Sequence, residues 1–112
     1  MSNSVLCSLK DSENNLWFGT YLGNISHYNK QSGEFKTIEL EKGKLLDIRT
    51  FYEDQEKNIW IGTHKGIYVF SLSKKKVVKH YNTLNCQLPE NLVRSIAQDD
   101  KGRFWIGTFG GG

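Results

Sequence analysis

An all-β chain built from repeated four-stranded units is the fold this sequence predicts, and three observations carry the prediction. One phrase occurs three times: Asp11 to Thr20 (DSENNLWFGT) returns as Asp54 to Thr63 (DQEKNIWIGT) and as Asp99 to Thr108 (DDKGRFWIGT). All three tryptophans occupy one phase of it, six residues after the Asp and two before Gly-Thr, at intervals of 43 and 45 residues. Eleven glycines stand against one proline, which suits many short strands joined by turns. A period of that length belongs to stacked units, each of which needs a neighbour to bury its apolar face.

The first strand of each unit carries apolar residues at matching places: Val5, Cys7 and Leu9, then Ile48 and Phe51, then Val93 and Ile96. A turn opened by Asp follows. Asp accepts a backbone N–H there, and a Gly or Asn at the fourth position tolerates the left-handed conformation of a bulged hairpin. Gly102 and Asn14 fit that position; Lys57 does not, and Asn58 is expected to shift its turn by one residue.

The second strand is apolar on both faces. Leu16 and Phe18 point one way and Trp17 the other, as do Ile59, Ile61 and Trp60, and Phe104, Ile106 and Trp105. A half-solvated strand would alternate with polar residues, so these sheets are expected to be covered on both sides. Gly19, Gly62 and Gly107 leave room for close approach of the next unit. The third strand runs over residues 24–28 and 66–70, and the more polar, outer fourth over 34–39 and 75–81.

Four antiparallel strands per unit of about 44 residues, stacked face to face, describe propeller blades. A two-sheet sandwich would not require a recurring Trp-x-Gly-Thr. The expected division is blade 1 over residues 1–40, blade 2 over 41–82 and a partial blade 3 over 83–112, a β-propeller fragment of about two and a half blades. Propellers close with roughly four to eight blades, so both ends of the chain read as cuts in a longer array.

Composition narrows the function classes. With 38% apolar and 12% aromatic residues the chain can form a core, which excludes wholesale disorder. The net charge of +3 is mild and interspersed, which gives no nucleic-acid footprint. Its exception, the run Lys74 to Lys76 with Lys79 and His80, reads as a solvated hairpin tip that could meet phosphate or an acidic sugar. No stretch approaches the ~18 consecutive apolar residues of a membrane span, so no direct membrane contact is expected. Cys7 and Cys86 form no disulfide framework; Cys7 aligns with Thr50 and Ser95, a place for a small side chain. The histidines, His27, His64 and His80, fall in three different phases of the repeat, which argues against a shared metal. No cofactor is expected.

The pattern Val/Ile-x-x-Ile, then Glu-Asp-x-x-Gly-x-Leu-Trp-Ile-Gly-Thr, resembles the two-component regulator propeller repeat, with Trp60 to Thr63 and Trp105 to Thr108 its most specific pieces. The resemblance covers nearly the whole chain. Departures are Lys57 at the turn, Lys10 and Gln98 in place of the usual acid before Asp, and Phe18 in place of Ile. The resemblance implies a periplasmic sensor region of a hybrid two-component system, with kinase and output modules elsewhere and oligosaccharides from complex glycans as the sensed ligands.

Site residues follow from placement. Trp17, Trp60 and Trp105, repeated at one point of every unit, read as wedges between blades, with Gly19, Gly62 and Gly107 completing the structural core; a ligand site is normally asymmetric. Trp60, with units on both sides, is expected to be costly to remove. Asp11, Asp54 and Asp99 have a sufficient role in their own turns. Glycosidase chemistry needs two carboxyl groups about 5–10 Å apart across one bond, and nothing here specifies such a pair, so no catalytic residue is assigned. Binding is expected instead on the variable loops at the end where strands 2–3 and successive units connect, with Tyr21, Lys42, Lys44, His64 and Lys65 as candidates beside Leu22 and residues 82–91.

The leading reading is a binding module whose ligand shifts the packing of sensor domains. A propeller fragment of a secreted carbohydrate-active or lyase-type enzyme is the alternative, and a ligand-free interaction scaffold the third. The expected partners are further blades of a parent protein, an oligosaccharide, and other copies of this chain, because its end blades leave apolar faces uncovered.

Overall fold

The structure, a computed structural model, describes residues 5–20, 25–41, 46–82 and 93–108. Four strands, β1 (Val5–Lys10), β2 (Leu16–Thr20), β3 (Ile25–Asn29) and β4 (Glu34–Ile38), form one antiparallel sheet in chain order. A second sheet repeats it with β5 (Ile48–Glu53), β6 (Asn58–Thr63), β7 (Gly66–Ser71) and β8 (Lys76–Tyr81). A third has two strands, β9 (Val93–Gln98) and β10 (Phe104–Thr108). The first strands stack in sequence, β1 against β5 and β5 against β9. The described residues are thus all β, two four-stranded sheets and a two-stranded one, in the stacking order of propeller blades.

Each first strand pairs with its second through the same irregularity. Val5, Ile48 and Val93 pair with Thr20, Thr63 and Thr108; Cys7, Thr50 and Ser95 pair with Gly19, Gly62 and Gly107; one residue is skipped between. Such a bulge shifts the phase of the strand by one residue. It explains why Ile48 and Phe51, three apart, enter one buried cluster, and Val93 and Ile96 another.

The Asp turns are alike in all three sheets. The N–H of Asn14, Lys57 and Gly102 donates to the carbonyl of Asp11, Asp54 and Asp99 at 2.9, 3.1 and 3.1 Å. All three residues are left-handed, with φ of 68°, 63° and 81°. The expected shift onto Asn58 does not occur: Lys57 itself takes the left-handed conformation, because the flanking hydrogen bonds of the hairpin fix the turn length.

Two cores lie between the sheets. Trp17 and Ile25 of the first sheet meet Ile48, Phe51, Ile59, Ile61, Tyr68 and Phe70 of the second, joined by Leu46. On the second sheet's other face Ile67 and Val69 meet Val93 and Ile96, with Trp60, Tyr52, Tyr81, Phe104 and Ile106 packed around them. Strand β7 is buried at every residue, as a strand covered on both faces should be. Side chains grade outward: β4 is exposed from Glu34 to Thr37.

Gly19 and Gly62 sit at close approaches between successive sheets. A methyl group on Gly19 would lie 2.7 Å from Cβ of Ile48 in the next sheet, and one on Gly62 2.8 Å from Cγ1 of Val93. The small residue at Cys7, Thr50 and Ser95 is the register partner of each glycine and completes the same tight layer. Burial pushes the unpaired Cys7 thiol up to about 11, so it stays protonated at neutral pH. Cys86 lies outside the described residues.

Candidate functional site

One side-chain unit recurs in every sheet. Asp11 Oδ1 accepts the N–H groups of Glu13 and Asn15 at 2.9 and 3.0 Å, and its Oδ2 accepts the indole N–H of Trp17 at 2.8 Å. Asp54 does the same for Glu56, Asn58 and Trp60, the indole again at 2.8 Å. Asp99 binds Lys101, Arg103 and, at 3.2 Å, Trp105, and also pairs with the Arg103 guanidinium. These hydrogen bonds, led by that of the Arg103 backbone, hold the Asp99 carboxyl below the usual carboxylate range. The sequence reading gave Asp the turn but not the indole; the invariant Asp-to-Trp spacing was the available signal.

The tryptophans differ in burial. Trp17 is 0% exposed, edge-on to Phe70 of the second sheet at 5.2 Å and to His27 of its own sheet at 4.7 Å. Trp60 is half-buried, stacked at 4.0 Å on Phe104 and at 5.7 Å on Tyr81. Trp105 is 62% exposed. The gradient follows the neighbour: a four-stranded sheet covers Trp17, a two-stranded one covers Trp60, and no described sheet follows Trp105. Trp17, rather than Trp60, is therefore the most deeply buried wedge.

A second device joins the sheets. Glu53 Oε1 accepts the N–H of Ser12 in the preceding sheet's turn at 2.8 Å, and Gln98 Oε1 accepts that of Gln55 at 3.1 Å. The residues before Asp54 and Asp99 thus each cap the turn of the preceding sheet. Glu and Gln both supply the acceptor, so Gln98 is no departure in function.

Of the loop residues singled out from the sequence, Tyr21, Leu22, Lys42, Lys44 and residues 83–91 lie outside the described residues. His64 and Lys65 form the β6–β7 turn. His64 Nδ1 accepts the N–H of Asp47 at 3.0 Å, which places its ring proton on Nε2, and the Lys65 carbonyl meets His80 Nε2 at 2.8 Å. His80 stacks on Tyr68 at 3.9 Å and faces Glu41, which accepts the Tyr68 hydroxyl at 2.7 Å. Burial, ahead of that bond and the Glu41 charge, raises the Tyr68 phenol far above its ordinary range. This end is a tied network in which the Lys65 side chain remains exposed. Among the described residues no group of three or more His, Cys, Asp or Glu side chains is placed to hold a metal.

A concavity among the described residues lies elsewhere, between the outer parts of the first and second sheets. This cleft of about 590 Å³ starts at the tight-turn end and lies between β4 and the β7–β8 hairpin. Ile38, Leu40, Phe70, Leu72 and Val77 give it apolar walls; Asn15, Asn29, Ser32 and Thr37 give it amides and hydroxyls. Its charged rim is balanced, with Glu13, Glu34 and Glu39 against Lys36, Lys75 and Lys76. His27 also lines it, its pKa lowered chiefly by burial, against the opposing pull of Asp11. The run from Lys74 to Lys76, expected to be a solvated hairpin tip that could meet phosphate or an acidic sugar, has Lys75 and Lys76 on a cleft shared with β4 of the neighbouring sheet, a tertiary relation that local sequence does not carry.

Comparison with known proteins places this geometry. The model of the two component regulator propeller family matches residues 1–22, 44–65 and 87–110, the three segments that hold the Asp-to-Trp units. No curated protein matches the chain. Among solved structures, the extracellular domain of the hybrid two component system BT3049 from B. thetaiotaomicron is similar over 100% of this chain, with 70% identity and a TM-score of 0.93. That of the one component system BT4673 from the same organism is 26% identical over 93% of the chain, with a TM-score of 0.74. PorZ, a surface component of the type-IX secretion system of Porphyromonas gingivalis, shares the fold at 20% identity over 96% of the chain, TM-score 0.78. The chain spans only 15%, 14% and 16% of these three proteins. With its repeats matched one by one and its sheets superposing on those of a sensor's extracellular domain, the chain belongs to the two component regulator propeller family.

Proposed function

We propose that this chain is a non-catalytic segment of an extracytoplasmic sensor propeller of a hybrid two-component regulator, and that its inter-sheet cleft takes a neutral oligosaccharide of glycan origin. The extracytoplasmic placement is supported by the likeness to two extracellular sensor domains. The ligand class is supported by one observation: the cleft combines apolar walls with amide, hydroxyl and charge-balanced side chains. Apolar walls accept the C–H faces of a sugar ring, and short planar polar groups pair with its hydroxyls. A balanced rim gives no preference for an ionic ligand. The ligand would touch both sheets, so its binding energy acts on their packing and shifts the population of sensor-domain arrangements.

Isothermal titration with short mannan, xylan and fructan oligosaccharides tests this reading. At least one is expected to bind, and Lys36→Ala combined with Thr37→Trp, two exposed β4 positions, is expected to abolish the binding. Absence of binding to every saccharide, or binding that survives the filled cleft, would contradict it.

A further inference from the structure

At the tight-turn end of the inter-sheet cleft, the polar side chains have their acceptor atoms already committed. Asn15 Oδ1 accepts the N–H of Lys30 at 3.2 Å, and Asn29 Oδ1 accepts the N–H groups of Gln31 and Ser32 at 3.0 and 3.1 Å. Each backbone N–H needs an acceptor, so this network fixes which amide atom is the oxygen. What remains of both side chains is the amide N–H₂, a pair of donors with no partner among the described residues. Ser32 Oγ likewise accepts the N–H of Glu34 at 3.3 Å, which leaves its hydroxyl to donate.

The two amides stand side by side. Leu16 pairs with Tyr28 and Asn29 with Glu34, so Asn15, Asn29 and Glu34 form a cross-strand row beside that of Trp17, His27 and Lys36. Alternation puts both rows on the face of the first sheet that meets the second, and all six residues line the cleft. From the second sheet, Leu72 and Val77 add an apolar wall. Lys75 and Lys76 line the cleft together with Glu13 and Glu34, so no net charge favours a carboxylate there. The cleft lies between two complete four-stranded sheets, and every residue of this end is described.

Paired donors, an apolar wall and a carboxylate match one planar, neutral group: the acetamido substituent of an N-acetylated amino sugar. We propose that the tight-turn end of the cleft holds that group. The amide N–H₂ groups of Asn15 and Asn29 donate to its carbonyl oxygen, its methyl group packs on Leu72 and Val77, and its N–H donates to Glu34. The inference rests on the reading of the cleft as a saccharide site and narrows the ligand to a class. A sugar hydroxyl in the same place would accept from the amides but would bring no methyl group to the apolar wall. A uronate carboxylate would meet Glu34 with like charge.

Isothermal titration of the 112-residue chain with chitobiose and cellobiose, which differ in acetamido against hydroxyl, tests the assignment. Chitobiose is expected to bind at least about tenfold more tightly, the worth of one or two net hydrogen bonds. Asn15→Asp and Asn29→Asp keep the oxygen that accepts the turn N–H groups and replace the donors with a second acceptor. Each is expected to remove most of the preference and to leave cellobiose binding within about threefold. Gln31→Glu, which adds the same charge in the exposed β3–β4 turn, should retain the preference. In the wild type, the side-chain N–H₂ resonances of Asn15 and Asn29 should shift on addition of chitobiose, a readout that needs no variant to fold. Equal affinity for both saccharides overturns the acetamido assignment and leaves the neutral-oligosaccharide reading standing. A preference that survives both Asn variants, one lost equally in Gln31→Glu, or unmoved N–H₂ signals overturns the role of the amides. Failure of every saccharide to bind overturns both readings.

Discussion

Asp11 accepts the indole N–H of Trp17 across 2.8 Å, in a site where Asp11 is 3% and Trp17 0% exposed. One carboxylate thereby closes the turn with one oxygen and fixes the inter-sheet wedge with the other. Removing it leaves a buried indole donor and two turn N–H groups without partners. Asp11→Ala is expected to cost about 2–4 kcal/mol in denaturant unfolding, with Asp11→Asn between it and wild type because its amide N–H₂ would face the indole N–H. Asp99→Ala, at an exposed copy of the unit, is expected to cost clearly less.

The tryptophan substitutions should rank by cover. Trp17→Ala is expected to cost about 3–5 kcal/mol, the range for emptying a large buried aromatic site. Trp60→Ala, half-buried against a two-stranded sheet, should cost less than Trp17→Ala, and Trp105→Ala should leave the unfolding midpoint of dilute protein unchanged. Equal costs at all three sites would refute the wedge assignment.

Turn chemistry gives a stabilising prediction. Lys57 sits at φ 63°, where an L side chain is strained. Lys57→Gly should raise stability by about 0.5–1 kcal/mol after the extra freedom of glycine in the unfolded chain is counted. Gly62→Ala should act in the opposite direction, because its methyl group would press on Thr50 of its own sheet and on Val93 across the sheet interface.

Much of the architecture was legible because it is written locally and repeated. Asp at the turn, Trp on the second strand and Gly after it each have a local physical reason, and recurrence multiplied the signal. The bulge was hidden: Ile48 and Phe51 lie three apart, a spacing that a regular strand would put on opposite faces, and only the pairing with β6 shows the skipped residue. The role of Glu53 and Gln98 was hidden as well, because the N–H that each one caps lies 41 or 43 residues earlier. The cleft was least legible of all. It joins β4 to the β7–β8 hairpin, and the polar sequence of β4 and of the hairpin tip carries no pattern beyond exposure.

Acid sensitivity follows from His27. Its folded pKa lies below the ordinary value of 6.5, principally through burial beside Trp17. The unfolded chain therefore binds more protons in the window just below 6.5, and stability rises with pH across that window. Stability should be flat above it with respect to this group and decline as pH falls through it. His27→Gln should flatten that part of the profile; an unchanged decline would assign it to other groups.

Protection of the three indole N–H groups from deuterium exchange, read by NMR in dilute solution, tests the central claim most directly. Each sheet's Asp-held tryptophan is buried in proportion to the sheet that follows it. Trp17 should exchange slowest, Trp60 at an intermediate rate and Trp105 fastest. Similar rates at all three, or faster exchange at Trp17 than at Trp105, would contradict the account.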